Sequence, residues 1–252
     1  METRIDHVVG GIYRISTWAE PYGITFNQFL IDDERPALVH TGEYRAYEPI
    51  RRAIAEVLDP ATLAYVTLLH FEGDECGGME RFMADAPGAE LVGSDLSATL
   101  SLKGFGFTSE GRVLGVRDGD RLELGRHTLR FLETPHVHHW DSMMVVEEST
   151  RSLFPADLYL QPGDQPPVVT ENLGDAMVDV YRAIGIFAHE DPVRRTVDRL
   201  EALDPAWVHA MHGGTLTGDS VRPYNAALRE RAFAYAGMLF GRELPAAVPA
   251  LT

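Results

Sequence analysis

The feature that most constrains this chain is the run His70-Phe71-Glu72-Gly73-Asp74-Glu75-Cys76-Gly77-Gly78. It follows an apolar segment, Leu63 to Leu69, that reads as a strand. Alternate residues of an extended segment point to the same side. His70, Glu72 and Asp74 are therefore expected to converge on one point, as metal ligands must. Gly77-Gly78 allows a tight turn into a helix near Met79 to Ala84. On its own such a run could belong to any acidic surface, but three further groups of ligand-type residues follow it.

The first of these is Thr134-Pro135-His136-Val137-His138-His139-Trp140-Asp141-Ser142-Met143, too rich in histidine for ordinary packing. The next is Leu153-Phe154-Pro155-Ala156-Asp157, an apolar strand end carrying one carboxylate. The last is Trp207-Val208-His209-Ala210-Met211-His212-Gly213-Gly214, a strand running into a His-Gly turn.

This order resembles the metallo-β-lactamase superfamily, in which such groups sit at successive strand ends, and the resemblance covers nearly the whole chain. Asn27-Gln28-Phe29-Leu30-Ile31 and Pro36-Ala37-Leu38-Val39 are similar to that fold's opening hairpin. Hydrolases of the superfamily usually carry a second His where this chain has Glu72. That difference, with the Pro-x-x-His and Asp-Ser-Met segment, resembles the diiron domain of flavodiiron proteins, which reduce oxygen or nitric oxide. Glu75-Cys76-Gly77-Gly78 resembles the stand-alone oxygen-binding diiron proteins. The resemblance implies an α/β fold, a metallo-β-lactamase-like αββα four-layer sandwich, over residues 1–252 as one domain.

It also implies a ligand set. His70, Glu72 and His138 would hold one iron, Asp74 and His212 the other, and Asp157 would bridge them. His138 takes the ligand place by gapless comparison, although the family usually has Trp directly after that His, which leaves His139 as the alternative. The family has His where Glu75 stands. Two iron(II) ions carry four positive charges; Glu72, Asp74 and Asp157 offset three, and Glu75 as a ligand would offset the fourth. Alternatively, Glu75 accepts a hydrogen bond from a ligand histidine. Carboxylate-rich ligation suits iron better than zinc, with zinc or manganese as alternatives.

The other candidates have plainer readings. His40 stands where the superfamily has an Asp and is expected to support the site rather than ligate. His136 and His139 are read as donors or cavity walls. His189 is placed near a helix C-terminus, and His7, His127 and His209 are read as structural or exposed. Cys76 is expected to be a small buried residue. Phe71, Trp140 and Tyr159 are expected in the core more than around a diatomic ligand. Gly213-Gly214 are explained by the turn after a ligand His.

Residue pattern places strands at Val8 to Ile15, Thr25 to Ile31, Ala37 to Val39, Leu91-Val92, Arg121 to Leu124, Thr128 to Leu132, Met143 to Glu147, Leu153-Phe154 and Trp207 to Ala210. It places helices at Tyr47 to Leu58, after a cap at Asp95, at Leu173 to Phe187, from an Asp191-Pro192 start to Leu203, and at Tyr224 to Phe240.

The net charge of −16 argues against nucleic acid and anionic membranes as partners. No segment approaches the ~20 apolar residues that span a bilayer, and Met1 to Asp6 shows no signal-peptide start. A single cysteine excludes an internal disulfide framework. These features fit a cytoplasmic location. Among functions, the leading expectation is a non-haem diiron protein, diferrous or oxo-bridged, that binds O2 and reduces O2 or NO with an external electron donor. It would serve as carrier, sensor or oxidoreductase, and act through a signalling partner if it does not turn over. No flavin or nicotinamide fingerprint is present. The alternative is a dinuclear zinc hydrolase of thioesters, lactones or phosphoesters. A homo-oligomer is implied by the resemblance alone.

Overall fold

A computed structural model of the chain describes residues 2–104, 112–239 and 242–243. The first half builds one seven-stranded sheet. Its strands are β1 (Thr3–Val9), β2 (Ile12–Ala19), β3 (Ile24–Ile31), β4 (Ala37–Val39), β5 (Tyr65–Thr67), β6 (Glu90–Ser94) and β7 (Val113–Val116), lying side by side in chain order. β1 to β4 pair antiparallel and β4 to β7 pair parallel. The parallel crossovers carry α1 (Tyr47–Ile54), α2 (Gly73–Cys76), α3 (Met79–Asp85) and α4 (Asp95–Leu100).

The second half builds the other seven-stranded sheet from β8 (Arg121–Glu123), β9 (Thr128–Glu133), β10 (Met143–Glu147), β11 (Ser152–Phe154), β12 (Val168–Val169), β13 (Trp207–His209) and β14 (Thr215–Thr217). Its order is β12-β14-β13-β11-β10-β9-β8, with β11 parallel to β13. Three helices flank it: α5 (Gly174–Ile184), α6 (Glu190–Leu203) and α7 (Arg222–Glu230).

The period-two alternation of the strands makes the layers. Phe29, Ile31 and Val39 of the first sheet meet Phe131, Val145 and Phe154 of the second in a core between the sheets. The intervening residues Leu30 and Leu38 face outward under Ile50, Ile54 and Phe82 of α1 and α3. On the other side Val146, Leu153 and Val208 face Val178, Tyr181, Val193 and Val197 of α5 and α6. The result is the expected αββα sandwich.

Several boundaries depart from the sequence pattern. Val8 to Ile15 is not one strand but a hairpin corner. Gly10 takes a left-handed φ of +55°, and a Cβ on Gly11 would stand 2.5 Å from the Asp32 carbonyl. β5 is shorter than Leu63 to Leu69, and α1 stops four residues before Leu58. Ser94, not Asp95, caps α4, its hydroxyl accepting from the Ser97 N–H at 3.0 Å. α5 lies inside Leu173 to Phe187 and ends where Gly185 turns left-handed.

α6 begins at Glu190 with His189 at its N-cap, so His189 is exposed at a helix start rather than near a helix C-terminus. Pro192 then falls in the first turn, where its missing N–H has no intrahelical partner to lose. α7 ends at Glu230, far short of Phe240, which lies outside the described residues. Arg231 is extended, Phe233 is buried against Phe187, and the N–H groups of Phe233 and Ala234 donate to the Glu190 carboxylate. These tertiary contacts replace the helix that local pattern favours. Strands β7, β12 and β14 have no counterpart in the sequence pattern. No helix among the described residues is long and apolar enough to cross a membrane.

Candidate metal centre

The segments that leave the C-terminal ends of β4, β5, β9, β11 and β13 meet at one edge of the sandwich. The β5 segment does not deliver its carboxylates by strand alternation. Glu72 is extended, but Gly73–Cys76 forms a helical turn. His70 therefore comes from a bend after β5 and Glu72 from extended backbone, whereas Asp74 and Glu75 come from adjacent positions of α2. The turn fits because its glycines press against the chain after β4. A Cβ on Gly77 would stand 2.5 Å from the Tyr44 N, and one on Gly78 2.7 Å from the Thr41 carbonyl. Neither glycine has a positive φ, so close approach rather than turn geometry demands them.

The side chains form two groups whose donor atoms lie within 4.8 Å of one another: His70, Glu72, His138 and Asp157, and beside them Asp74, Glu75 and His212. His138 Nε2 lies 2.7 Å from Asp157 Oδ2 and 2.9 Å from Glu72 Oε2. His70 Nε2 is 3.3 Å from each of the same two oxygens. The other oxygen of Asp157, Oδ1, faces His212 Nε2 at 3.2 Å, with Asp74 Oδ2 3.7 Å from that nitrogen. Asp157 thus presents one oxygen to each group. His139 Nε2 comes no nearer to Glu72 than 3.7 Å, and its Nδ1 faces Asp141 at 3.7 Å. His138, not its neighbour, is the histidine brought into the cluster. His136 is exposed.

The electrostatics are those of donors waiting for a cation. Burial alone would lower the His70 imidazole, but Asp157 and Glu72 outweigh it and hold its pKa up at about 10. His138 is likewise pushed down by burial and raised to about 9 by the same two carboxylates. Asp157 is raised by burial but held well below the usual carboxylate range by His70, His138 and His212. Glu75 has no such compensation: burial, Asp157 and Asp74 all push it well above the ordinary value. Glu75 Oε2 and Asp157 Oδ1 are buried without a hydrogen-bond partner. Buried acceptors are rarely left so. Two His-and-carboxylate groups sharing one carboxylate, with orphaned oxygens pointing between them, fit a pair of divalent cations.

Supporting contacts fix the donors. The His212 Nδ1–H donates to the Thr25 carbonyl at 3.0 Å, which leaves Nε2 free to coordinate. His40 is buried with a left-handed φ of +64°, and its Nε2 accepts the Leu69 N–H at 3.1 Å. It steers the backbone just before His70 and does not join either group of donors. Tyr181 on α5 donates to the Asp157 carbonyl at 2.8 Å and accepts from the Leu160 N–H at 3.2 Å. Asn27 donates to the carbonyls of Ala210 and Gly213 at 2.8 and 2.6 Å, bracing the turn that holds His212.

Thr25, Asn27 and Tyr181 were missed in the sequence because each acts on a distant loop and carries no local signature. Cys76 is buried in the core under α1 and α3, which raises its thiol to about 12. Phe71 packs on the same core, Tyr159 is buried and hydrogen-bonds Asn225, and Trp140 is exposed. A cavity of about 370 Å³ lies between α6, α7 and the second sheet, and none of the candidate ligands lines it.

A four-layer sandwich with His, Glu and Asp donors gathered at its strand ends is the core of a metallo-β-lactamase-like, flavodiiron-type protein. Residues 24–213 match the ODP family beta lactamase, and the chain belongs to that family. It is similar to a flavo-diiron protein of Clostridium acetobutylicum, with 27% identity over 208 residues, 79% of this chain and 51% of that protein. It is also similar to the rubredoxin-oxygen oxidoreductase of Megalodesulfovibrio gigas, at 29% identity over 65% of this chain and 42% of that protein. The first curated relatives are longer: the chain covers 24%, 36% and 51% of their lengths.

Among solved structures, rubredoxin oxygen:oxidoreductase from Desulfovibrio gigas superposes with a TM-score of 0.80 at 20% identity, over 90% of this chain and 62% of that one. The apo state of a chemotaxis sensor, ODP from T. denticola, superposes with a TM-score of 0.76 at 16% identity, over 92% of this chain and 96% of that one. At these identities the structural likeness is one of fold.

Proposed function

We propose that this chain is a non-haem diiron protein that binds O2 at its diiron site and reduces O2 or NO only when electrons reach it from another protein. The observation that carries this reading is Asp157, whose two oxygens face two separate groups of His and carboxylate donors. His70, Glu72 and His138 would hold one ion, Asp74, Glu75 and His212 the other. The relatives' names support the chemistry, since they include oxygen oxidoreductases and nitric oxide reductases. A superposable chemotaxis sensor of similar length supports a role in which binding is the output.

Two iron(II) ions, if held by these residues, would supply one electron each and a place for a diatomic ligand. The protein's own part is positional. The Thr25 carbonyl accepts from the His212 Nδ1–H and so aims Nε2 at the carboxylates. His40 and Tyr181 hold the backbones that carry His70 and Asp157. Glu72, with its side chain 42% accessible, is the outermost donor and marks the side from which a small molecule arrives. Residues 1–252 are read as one domain acting as a homo-oligomer in the cytoplasm, with neither nucleic acid nor membrane as partner.

Metal analysis of protein purified without air tests the reading. About two irons per chain, and a visible absorption appearing within seconds when O2 meets the reduced protein, are expected. Steady oxygen consumption is expected only after a reductase is added. Stoichiometric zinc with thioesterase, lactonase or phosphoesterase activity would replace this function with metal-hydroxide hydrolysis. No spectral change with iron confirmed present would refute oxygen binding.

A further inference from the structure

Glu75 stands where the flavodiiron pattern has a histidine, and its two oxygens reach donors of both groups. Glu75 Oε2 lies 3.5 Å from His70 Nε2, a donor of the first group. Glu75 Oε1 lies 3.9 Å from His212 Nε2, the donor of the second. With metal–ligand bonds of about 2.0–2.2 Å, two donors on one ion stand roughly 3–4 Å apart. Each oxygen of Glu75 is therefore at co-ligand distance from a histidine of a different group. We propose that Glu75 spans the two metal positions as a second carboxylate bridge beside Asp157. The proposal rests on the dinuclear reading above and deepens it.

Three observations support it. Glu75 is 2% exposed and its Oε2 is buried with no hydrogen-bond partner, among the donors of the two groups. Its backbone cannot swing away: the Glu75 carbonyl accepts from the Thr41 N–H at 2.6 Å and from the Thr41 hydroxyl at 2.8 Å. The glycines that follow pack directly on residues 41–44. A carboxylate rather than a histidine at 75 also leaves the two positions unequal. The first keeps two imidazoles, His70 and His138. The second keeps one, His212, among the carboxylates Asp74, Glu75 and Asp157. That set is hard and favours iron(II) or manganese(II) over zinc at the second position. A family-like histidine at 75 would give a single position one more imidazole and would bridge nothing.

The direct test is diffraction from crystals of the full chain loaded with manganese(II), with anomalous scattering to locate the ions. Two ions with one Glu75 oxygen on each are expected. Two ions with Glu75 bound to one alone, or to neither, would overturn the bridge while leaving the dinuclear reading intact. Fewer than two ions would remove both. A solution test uses equimolar iron(II) and zinc(II) competition, read by metal content, on wild type, Glu75→Gln and Glu75→His. Glu75→Gln should weaken the second ion by about tenfold or more, and Glu75→His should hold two ions but take more zinc. Circular dichroism reports whether each variant is folded. A folded Glu75→Gln that binds both ions as wild type does would also overturn the proposal.

Discussion

Two of the places where the described residues bury carboxylates beside imidazoles are finished differently. Away from the metal centre, Glu147 sits at 0% exposure at the end of β10. Its Oε1 accepts from the Ser149 N–H at 2.8 Å and the Ser149 hydroxyl at 2.6 Å, and His127 Nδ1 stands 3.1 Å away. Its Oε2 accepts from the Thr150 N–H at 2.8 Å and from the Thr150 hydroxyl. A chain of contacts continues from Thr150 to Ser152 at 2.7 Å and from Ser152 to His209 at 3.0 Å. Burial would raise the Glu147 carboxyl, but these donors outweigh it and hold it down at about 2. At the other place Glu75 Oε2 has no hydrogen-bond partner, and Asp157 Oδ1 faces only the His212 imidazole at 3.2 Å. A buried charge cluster that the protein can satisfy by itself is architecture. One that it leaves open is built for something it must acquire.

Changes at the two places should separate these roles. The largest effect is expected from Asp157→Ala, which removes the donor common to both groups. The variant should retain its circular dichroism but lose the dinuclear centre, as judged by metal content after anaerobic loading. Two irons retained with an unchanged spectrum would erase the contrast.

Glu147→Gln should do the reverse. It should lose about 2 kcal/mol of unfolding free energy in urea, the scale of hydrogen bonds to a charged group, with metal content unchanged. The same residue sets a pH dependence. Its folded pKa lies below the ordinary 4.5. Its contribution is therefore complete above about pH 4.5 and is lost as the pH falls toward about 2. Urea titrations of wild type and Glu147→Gln across that window should converge at the acid end; parallel curves would count against the assignment.

A smaller effect should follow Tyr181→Phe, which leaves the Asp157 carbonyl without its hydroxyl donor. About 1 kcal/mol of stability should go, together with a measurable weakening of metal binding. A stability loss with identical metal affinity would make Tyr181 part of the architecture only. The smallest change is expected from His139→Ala, within about 0.5 kcal/mol and with both ions kept. His138→Ala should empty the first position under the same conditions.

Much of this was legible because the informative signals are local. The His70 to Gly78 run, the histidine-rich segment and the lone Asp157 announce themselves in short stretches, and strand alternation at Phe29-Leu30-Ile31 or Leu153-Phe154 announces the layers. The resemblance to a known family turned those stretches into one site. What escaped was set by contacts between distant segments. The helical turn at Gly73–Cys76 replaces an extended run because the chain after β4 packs against Gly77 and Gly78. α7 stops short because Phe233 is worth more in the core beside Phe187 than on a helix. Thr25, Asn27 and Tyr181 matter for where their partners fall in space, and nothing in their own neighbourhoods says so.

Both groups of donors draw on both sheets: His70, Glu72, Asp74 and Glu75 leave the first, His138, Asp157 and His212 the second. This sets a timetable during synthesis. Roughly 140 residues separate His70 from His212, on the order of ten seconds of elongation. Through that interval the emerging first half displays an incomplete set of acidic donors. The second group cannot close until His212 has left the ribosome, so a stably held pair of ions would mark a chain whose two halves have both been made and joined.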